Sequence, residues 1–236
     1  MKPVKTMLSA AAIVFACISV NAQTVDDVIN KHLDAAGGKD KLAQVTSVVT
    51  EASVNAMGND NPATTTVLIG KGYKNEMEFN GQKMVQTVTD KGGWAINPFQ
   101  GGTDAQAMPD EQYKSMEGMM YLDPFLDYAA HGAKAELQGT DGDDYKVLFT
   151  SADGTATTYY INKTTYLFSK LTRTVSMMGN NVDLTMTFSD YKPTDFGNKA
   201  AYTIEMDYGG QFQMTTTIKK ITINSTIDPA IFEMPK

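Results

Sequence analysis

Cysteine occurs once in this 236-residue chain, at Cys17, and that position falls in a stretch with the marks of an export signal. Lys2 and Lys5 supply the positive start, residues 8–18 the apolar run, and Val20, Asn21 and Ala22 a small-residue cleavage site before Gln23. Two readings of Cys17 follow: an acylated anchor, or an ordinary residue of the signal core. Phe15 is bulky where a lipoprotein signal wants a small side chain, and the Ala22 site competes, so the second is favoured. The body, residues 23–236, then has no disulfide, and its stability must come from a core that a chain of this length can build as one domain. Arginine is also nearly absent, Arg173 being the only one, which argues against phosphate recognition by arginine clusters. Removing Lys2 and Lys5 from the 20 basic residues leaves 18 against 27 acidic ones, a formal charge of −9. Nucleic acid and anionic membrane surfaces are therefore poor partners. After the leader, no stretch approaches the roughly 20 continuous apolar residues of a membrane helix, so no stable membrane span is expected.

What the chain has in quantity is two-residue alternation. Between 143 and 191 apolar residues such as Tyr145, Val147, Phe149, Tyr159, Ile161, Leu171, Val182, Leu184 and Met186 recur at strand spacing, broken at Gly, Asn and Asp turns. This predicts four antiparallel strands in a row. A first meander precedes it, with strand-like segments at 47–57, 64–69, 73–79, 83–89 and 93–96, and Asn80-Gly81 is its strongest hairpin signal. Two more strands, 202–208 and 212–223, bring the count to about 11, and an extended tail with two apolar pegs, Ile231 and Phe232, ends the chain.

Helical patterns are few. Thr24 is a helix N-cap, after which Val25, Val28, Ile29 and Leu33 fall at helical spacing until Gly37-Gly38. His32 in this helix is read as a surface polar residue. Residues 97–132 form an insert unlike its surroundings, read as a loop and two helices, one starting at Pro109 and one at Asp123-Pro124. Met116, Met119 and Met120 give the insert a flexible apolar face, suited either to a fixed plug on the sheet or to a movable lid over a cavity.

Catalytic and metal signatures are missing. His32 and His131 lack zinc-type spacing, no G-x-S-x-G elbow or glycine-rich phosphate loop is present, and no thiol remains after the leader. The acidic loop at Asp141, Asp143 and Asp144 lacks the spacing and distal glutamate of a calcium loop. No enzyme, cofactor or metal is expected.

Four passages carry a family likeness: VDDVINKHLDAAGGKDKL after the leader, GGWAINPFQGG before the insert, YYINKTTYLFSKL with DYKPTDFG beyond it, and INSTIDPAIFEMP at the end. Together they resemble the LolA-like outer-membrane lipoprotein-sorting proteins, in order over almost the whole body. The resemblance implies one strongly curved antiparallel sheet, an unclosed half-barrel, with helices over its concave face and an apolar cavity for acyl chains. By analogy Trp94, Phe99, Met116, Met119, Met120, Leu122, Phe125 and Leu126 would line that cavity. Carriers of this type tie the lid with an arginine on an early strand, and residues 47–96 contain none. Two functions stay open: a periplasmic carrier for lipid or lipoprotein acyl chains, and a cell-envelope module that meets a protein partner through its sheet edge or tail.

Overall fold

The computed structural model describes residues 23–99, 102–177 and 180–235, so the leader and Cys17 lie outside the described residues. Six strands come first: β1 (Ser47–Ala56), β2 (Asn59–Leu68), β3 (Gly72–Phe79), β4 (Gln82–Thr89), β5 (Gly92–Asn97) and β6 (Gly102–Ala107). Seven more follow the insert: β7 (Lys134–Asp141), β8 (Asp144–Thr150), β9 (Ala156–Asn162), β10 (Phe168–Met177), β11 (Asn180–Pro193), β12 (Lys199–Tyr208) and β13 (Gln213–Ile223). All thirteen form one antiparallel sheet in the order β6-β5-β4-β3-β2-β1-β13-β12-β11-β10-β9-β8-β7. The sheet is an unclosed half-barrel with helices on its concave face.

This order is two meanders welded at their far ends, because the first strand pairs with the last, Val48 opposite Ile223 and Ala56 opposite Met214. The weld leaves β6 and β7 as the two free edges. Residues 108–133 join one edge to the other, so the chain has to carry the insert across the open side of the half-barrel. The cover over the concave face is thus a consequence of strand order.

Two-residue turns set the registers of the first meander. Asn80 and Gly81 both have positive φ, 51° and 74°, as a type I′ hairpin requires. Met57 and Gly58 make the same kind of turn, at φ 53° and 79°. β2 therefore begins at Asn59, inside a run the sequence presents as loop, and Asn61 Nδ2 donates to the Val54 carbonyl at 3.1 Å to hold it there. The sheet has two strands more than the alternation predicts. β6 (GTDAQA) and β7 (KAELQGTD) are the missing pair, and edge strands that are mostly exposed carry few apolar residues to betray them.

Helix α1 (Val25–Ala36) has the expected cap, a capping box between Thr24 and Asp27, and the hydrogen bonds from Thr24 hold the Asp27 carboxyl below its usual pKa. The short α2 (Lys39–Leu42) follows, and α3 (Asp110–Glu117) runs on into a 3₁₀ turn, Gly118–Met120. No second helix forms at 123–132. Asp127 has φ 56°, and the bonds there span three residues, as in Leu126 N–H to the Asp123 carbonyl. A residue in the left-handed region breaks the helical ladder, so a chain of turns replaces the expected helix.

The core has two parts. Val28, Ile29 and Leu33 of α1 pack with Phe125 on Val147 and Ile161 of β8 and β9. Met108, Met116 and Met120 pack with Tyr73 on Val88, under α3. A third contact lies on the convex face, where the tail turns into a 3₁₀ segment, Pro229–Phe232, and seats Phe232 against β3. Of the two expected pegs, Phe232 is buried and Ile231 is exposed. A Cβ at Gly72 would lie 2.7 Å from the Phe232 ring, and Trp94 Nε1 donates to the Phe232 carbonyl at 2.8 Å. Phe232→Ala is expected to cost about 3–5 kcal/mol and to release the tail, which a red shift in the emission of the single tryptophan would report. Unchanged emission would mean that Trp94 is shielded by something other than the tail.

Candidate functional site

The sheet face under the insert is built by cross-strand partners. Phe149 of β8 lies opposite Thr157 of β9, Leu171 of β10 opposite both Tyr159 and Met186 of β11, and Arg173 opposite Leu184. Partners in register share a face, so Phe149, Thr157, Tyr159, Leu171, Arg173 and Met186 form one floor. Residues 114–133 arch above it, and a cavity of about 450 Å³ lies between. Its roof includes Met119, Pro124, Leu126 and Tyr128, and its mouth is polar, with Ser151, Asp153 and Thr155 of the β8–β9 turn. Pockets for small molecules run to roughly 300–1,000 Å³ and are mostly apolar with a few placed polar groups. This one fits that description.

Three ties hold the second half of the roof to the N-terminal helices. His32 Nε2 lies 2.9 Å from Asp123 Oδ2, Lys39 Nζ lies 2.9 Å from Asp127 Oδ1, and the Tyr128 hydroxyl donates to Asp26 Oδ1 at 3.4 Å. The first of these overturns the reading of His32 as a surface residue. It is 2% exposed, between the Phe168 ring at 4.0 Å and the edge of Phe125. Helical spacing puts His32 beside Ile29 and Leu33 on the buried stripe, and its two nitrogens find partners there. Asp123 is committed as well, since Oδ1 accepts from the Phe125 N–H at 2.9 Å.

The first half of the roof is held from the sheet. Tyr113 Oη donates to the Thr89 carbonyl at 3.0 Å, Gly70 N–H to the Met120 carbonyl at 3.0 Å, and Arg173 Nη1 to the Ser115 carbonyl at 3.3 Å. An arginine does meet the insert, from β10 in the second meander. Burial pushes the Tyr159 phenol well above its ordinary pKa, with Asp123 adding to the rise and Arg173 opposing it, so Tyr159 is a fixed donor in the floor.

Of the eight residues the family likeness pointed to, Met119 and Leu126 line the cavity. Met116 and Met120 are packed under α3, and Phe125 and Leu122 belong to the α1 cluster. Trp94 faces the convex side with the tail, because its neighbour Ala95 takes the face turned to α3. Phe99 is exposed and rests on Phe79. The structure adds the floor, which the likeness missed because it was sought only around the insert. The alternation that placed Phe149, Tyr159 and Leu171 in strands carries the signal that could have found it.

No protein-family model matches the sequence. No curated relative does either. Solved structures do match. A DUF1329 family protein from Desulfovibrio piger superposes with a TM-score of 0.59 at 15% identity, covering 90% of this chain and 98% of that one. A LolA superfamily protein from Nitrosomonas europaea gives 0.58 at 10% identity over the same shares. The chain shares its fold with a LolA superfamily protein. A Vibrio parahaemolyticus domain described as an outer membrane lipoprotein-sorting protein also matches, with a TM-score of 0.56 at 12% identity over 87% of this chain and 94% of that one. At these identities the likeness is one of fold. Among the described residues of this chain, no helix is long and apolar enough to cross a membrane, and no group of three His, Cys, Asp or Glu side chains is placed to hold a metal.

Proposed function

We propose that this protein is a non-enzymatic periplasmic carrier that takes one acyl chain, free or as part of a lipoprotein anchor, into the cavity between the insert and β8–β11. The observation that carries the proposal is the cavity itself, about 450 Å³ with Phe149, Leu171 and Met186 below and Met119 and Leu126 above. Its size suits one chain. The leader-like N-terminus and the fold shared with a lipoprotein-sorting domain support the placement in the cell envelope.

Native mass spectrometry of residues 23–236, purified without detergent and then exposed to a lipidated peptide, is the test. One lipid mass per chain is expected in the wild type, with loss of that mass in Met119→Asp while the thermal midpoint stays within a few degrees. Met119 is 37% exposed, so a carboxylate there is tolerated by the fold but not by an apolar ligand. A wild type that never acquires lipid sinks the proposal.

The free edges β6 and β7 favour a second reading, a module that takes an extended segment of an envelope protein by strand addition. Lipid-independent capture of such a partner, lost when charges or proline are placed on β6, would support it.

A further inference from the structure

We propose that Arg173 is the head-group receptor of the cavity, so that its ligand is an anionic amphiphile, a chain ending in a carboxylate or phosphate. The inference rests on the carrier reading and adds the ligand's polar end. Arg173 is the single arginine of the chain, and it stands in the floor of the cavity beside Leu171, two residues earlier on the same strand face. A guanidinium carries five N–H donors and no acceptor. One of them reaches the Ser115 carbonyl, at a long 3.3 Å, and Nε is buried with no partner among the described residues. None of the ion pairs among the described residues includes it.

The acidic groups of the cavity wall are engaged elsewhere. Asp123 faces His32 and the Phe125 N–H, Asp153 accepts from Ser151 and Thr155, and Glu117 Oε1 lies 3.2 Å from the Tyr113 hydroxyl, whose one proton it shares with the Thr89 carbonyl. A half-buried guanidinium whose Nε is enclosed without an acceptor is unusual, because buried polar atoms are normally hydrogen-bonded. A planar, bidentate donor next to an apolar floor is what recognises a carboxylate or phosphate at the end of a chain. The Tyr159 hydroxyl, kept protonated by its burial, lines the same cavity and can add one further donor.

The chain length can be held constant while the head is varied. Residues 23–236 would be titrated with hexadecanoate, hexadecyl phosphate, hexadecanol and hexadecyltrimethylammonium, followed by calorimetry or native mass spectrometry. The two anions are expected to bind at least about tenfold tighter than the alcohol and the cation. Arg173→Gln should erase that preference, so that within the variant the anions bind no more tightly than the alcohol, and Arg173→Lys should restore part of it. Inorganic phosphate and acetate, which have no chain, should not be retained. Equal binding of acid and alcohol by the wild type would overturn the head-group role and leave the carrier reading standing. Binding of none of the four would overturn both. Inorganic phosphate held as tightly as hexadecyl phosphate would make Arg173 an anion site without a chain, against the proposal. The comparison of heads in the wild type decides the matter even where Arg173→Gln does not fold.

Discussion

Phe125→Ala should lower the unfolding free energy by about 3–5 kcal/mol, the range for a buried phenylalanine cut to its Cβ. Phe125 is 1% exposed and sits where the parts of the larger core meet. Its ring meets Phe149, Tyr159 and Tyr128 edge-on at centroid distances of 5.8, 5.2 and 6.3 Å, and Phe168 at 5.8 Å. Such pairs add roughly 0.5–1.5 kcal/mol beyond the area they bury, so the cost should lie toward the upper end. In a domain of 150–250 residues each kcal/mol moves the thermal midpoint by about 2–4 °C, giving a fall of roughly 6–20 °C. Urea denaturation with an unchanged slope is the cleaner measurement. A loss under about 1 kcal/mol would mean that the insert contributes little to the fold and is free to leave the sheet. A variant at Phe125 is also a poor probe of lipid uptake, because it tests the core. Met119, which faces the cavity and is 37% exposed, separates the two effects.

The sheet was legible because its strands alternate and its tightest turn, Asn80-Gly81, has no other good use. Where alternation fails for a physical reason, so does the sequence. β6 and β7 are edges with water on much of their surface, so Gly102–Ala107 and Lys134–Asp141 carry little apolar signal. Asn59 and Asp60 look like loop residues, yet they pair with Ala56 and Asn55 once Met57-Gly58 has made the turn. The turns at 123–132 were taken for a helix because Pro124, Phe125 and Leu126 imitate a helix start. Tertiary ties from His32, Lys39 and Asp26 fix that segment in its actual form.

The site was less legible than the fold, for a topological reason. Residues of the floor come from four strands, and the roof reaches them only because β1 pairs with β13 and leaves the insert to cross the opening. Local pattern can place Leu171 and Arg173 on one face of a strand. It does not say that Ser115 will lie above them.

Removing His32 from the His32–Asp123 pair should cost about 3–5 kcal/mol, the usual penalty for leaving a buried charge uncompensated. The Tyr166 carbonyl, 2.8 Å from Nδ1, only accepts, so Nδ1 carries a hydrogen. Nε2 faces a carboxylate oxygen, so a proton lies between the two groups on one partner or the other. In either arrangement the pair is neutral as a unit. His32→Phe keeps the ring volume beside Phe168 and strands the carboxylate. Asp123→Asn keeps an acceptor for the Phe125 N–H and its amide can donate to Nε2 of a neutral His32, so it should cost less than His32→Phe. The double variant should be more stable than the two single losses together allow, by a coupling energy of about 0.5–3 kcal/mol in urea titrations. Additive losses would show that the two side chains do not act as a pair. The pair also fixes where the second half of the roof begins, because Pro124 follows Asp123 directly and Leu126 comes two residues later. In His32→Phe, therefore, amide exchange across residues 122–133 should quicken, while β1 and β13, welded at the centre of the sheet, stay slow. Uniform acceleration throughout the sheet would instead make the pair a general contributor to stability. Acceleration confined to the roof would make it the hinge point from which the cavity opens.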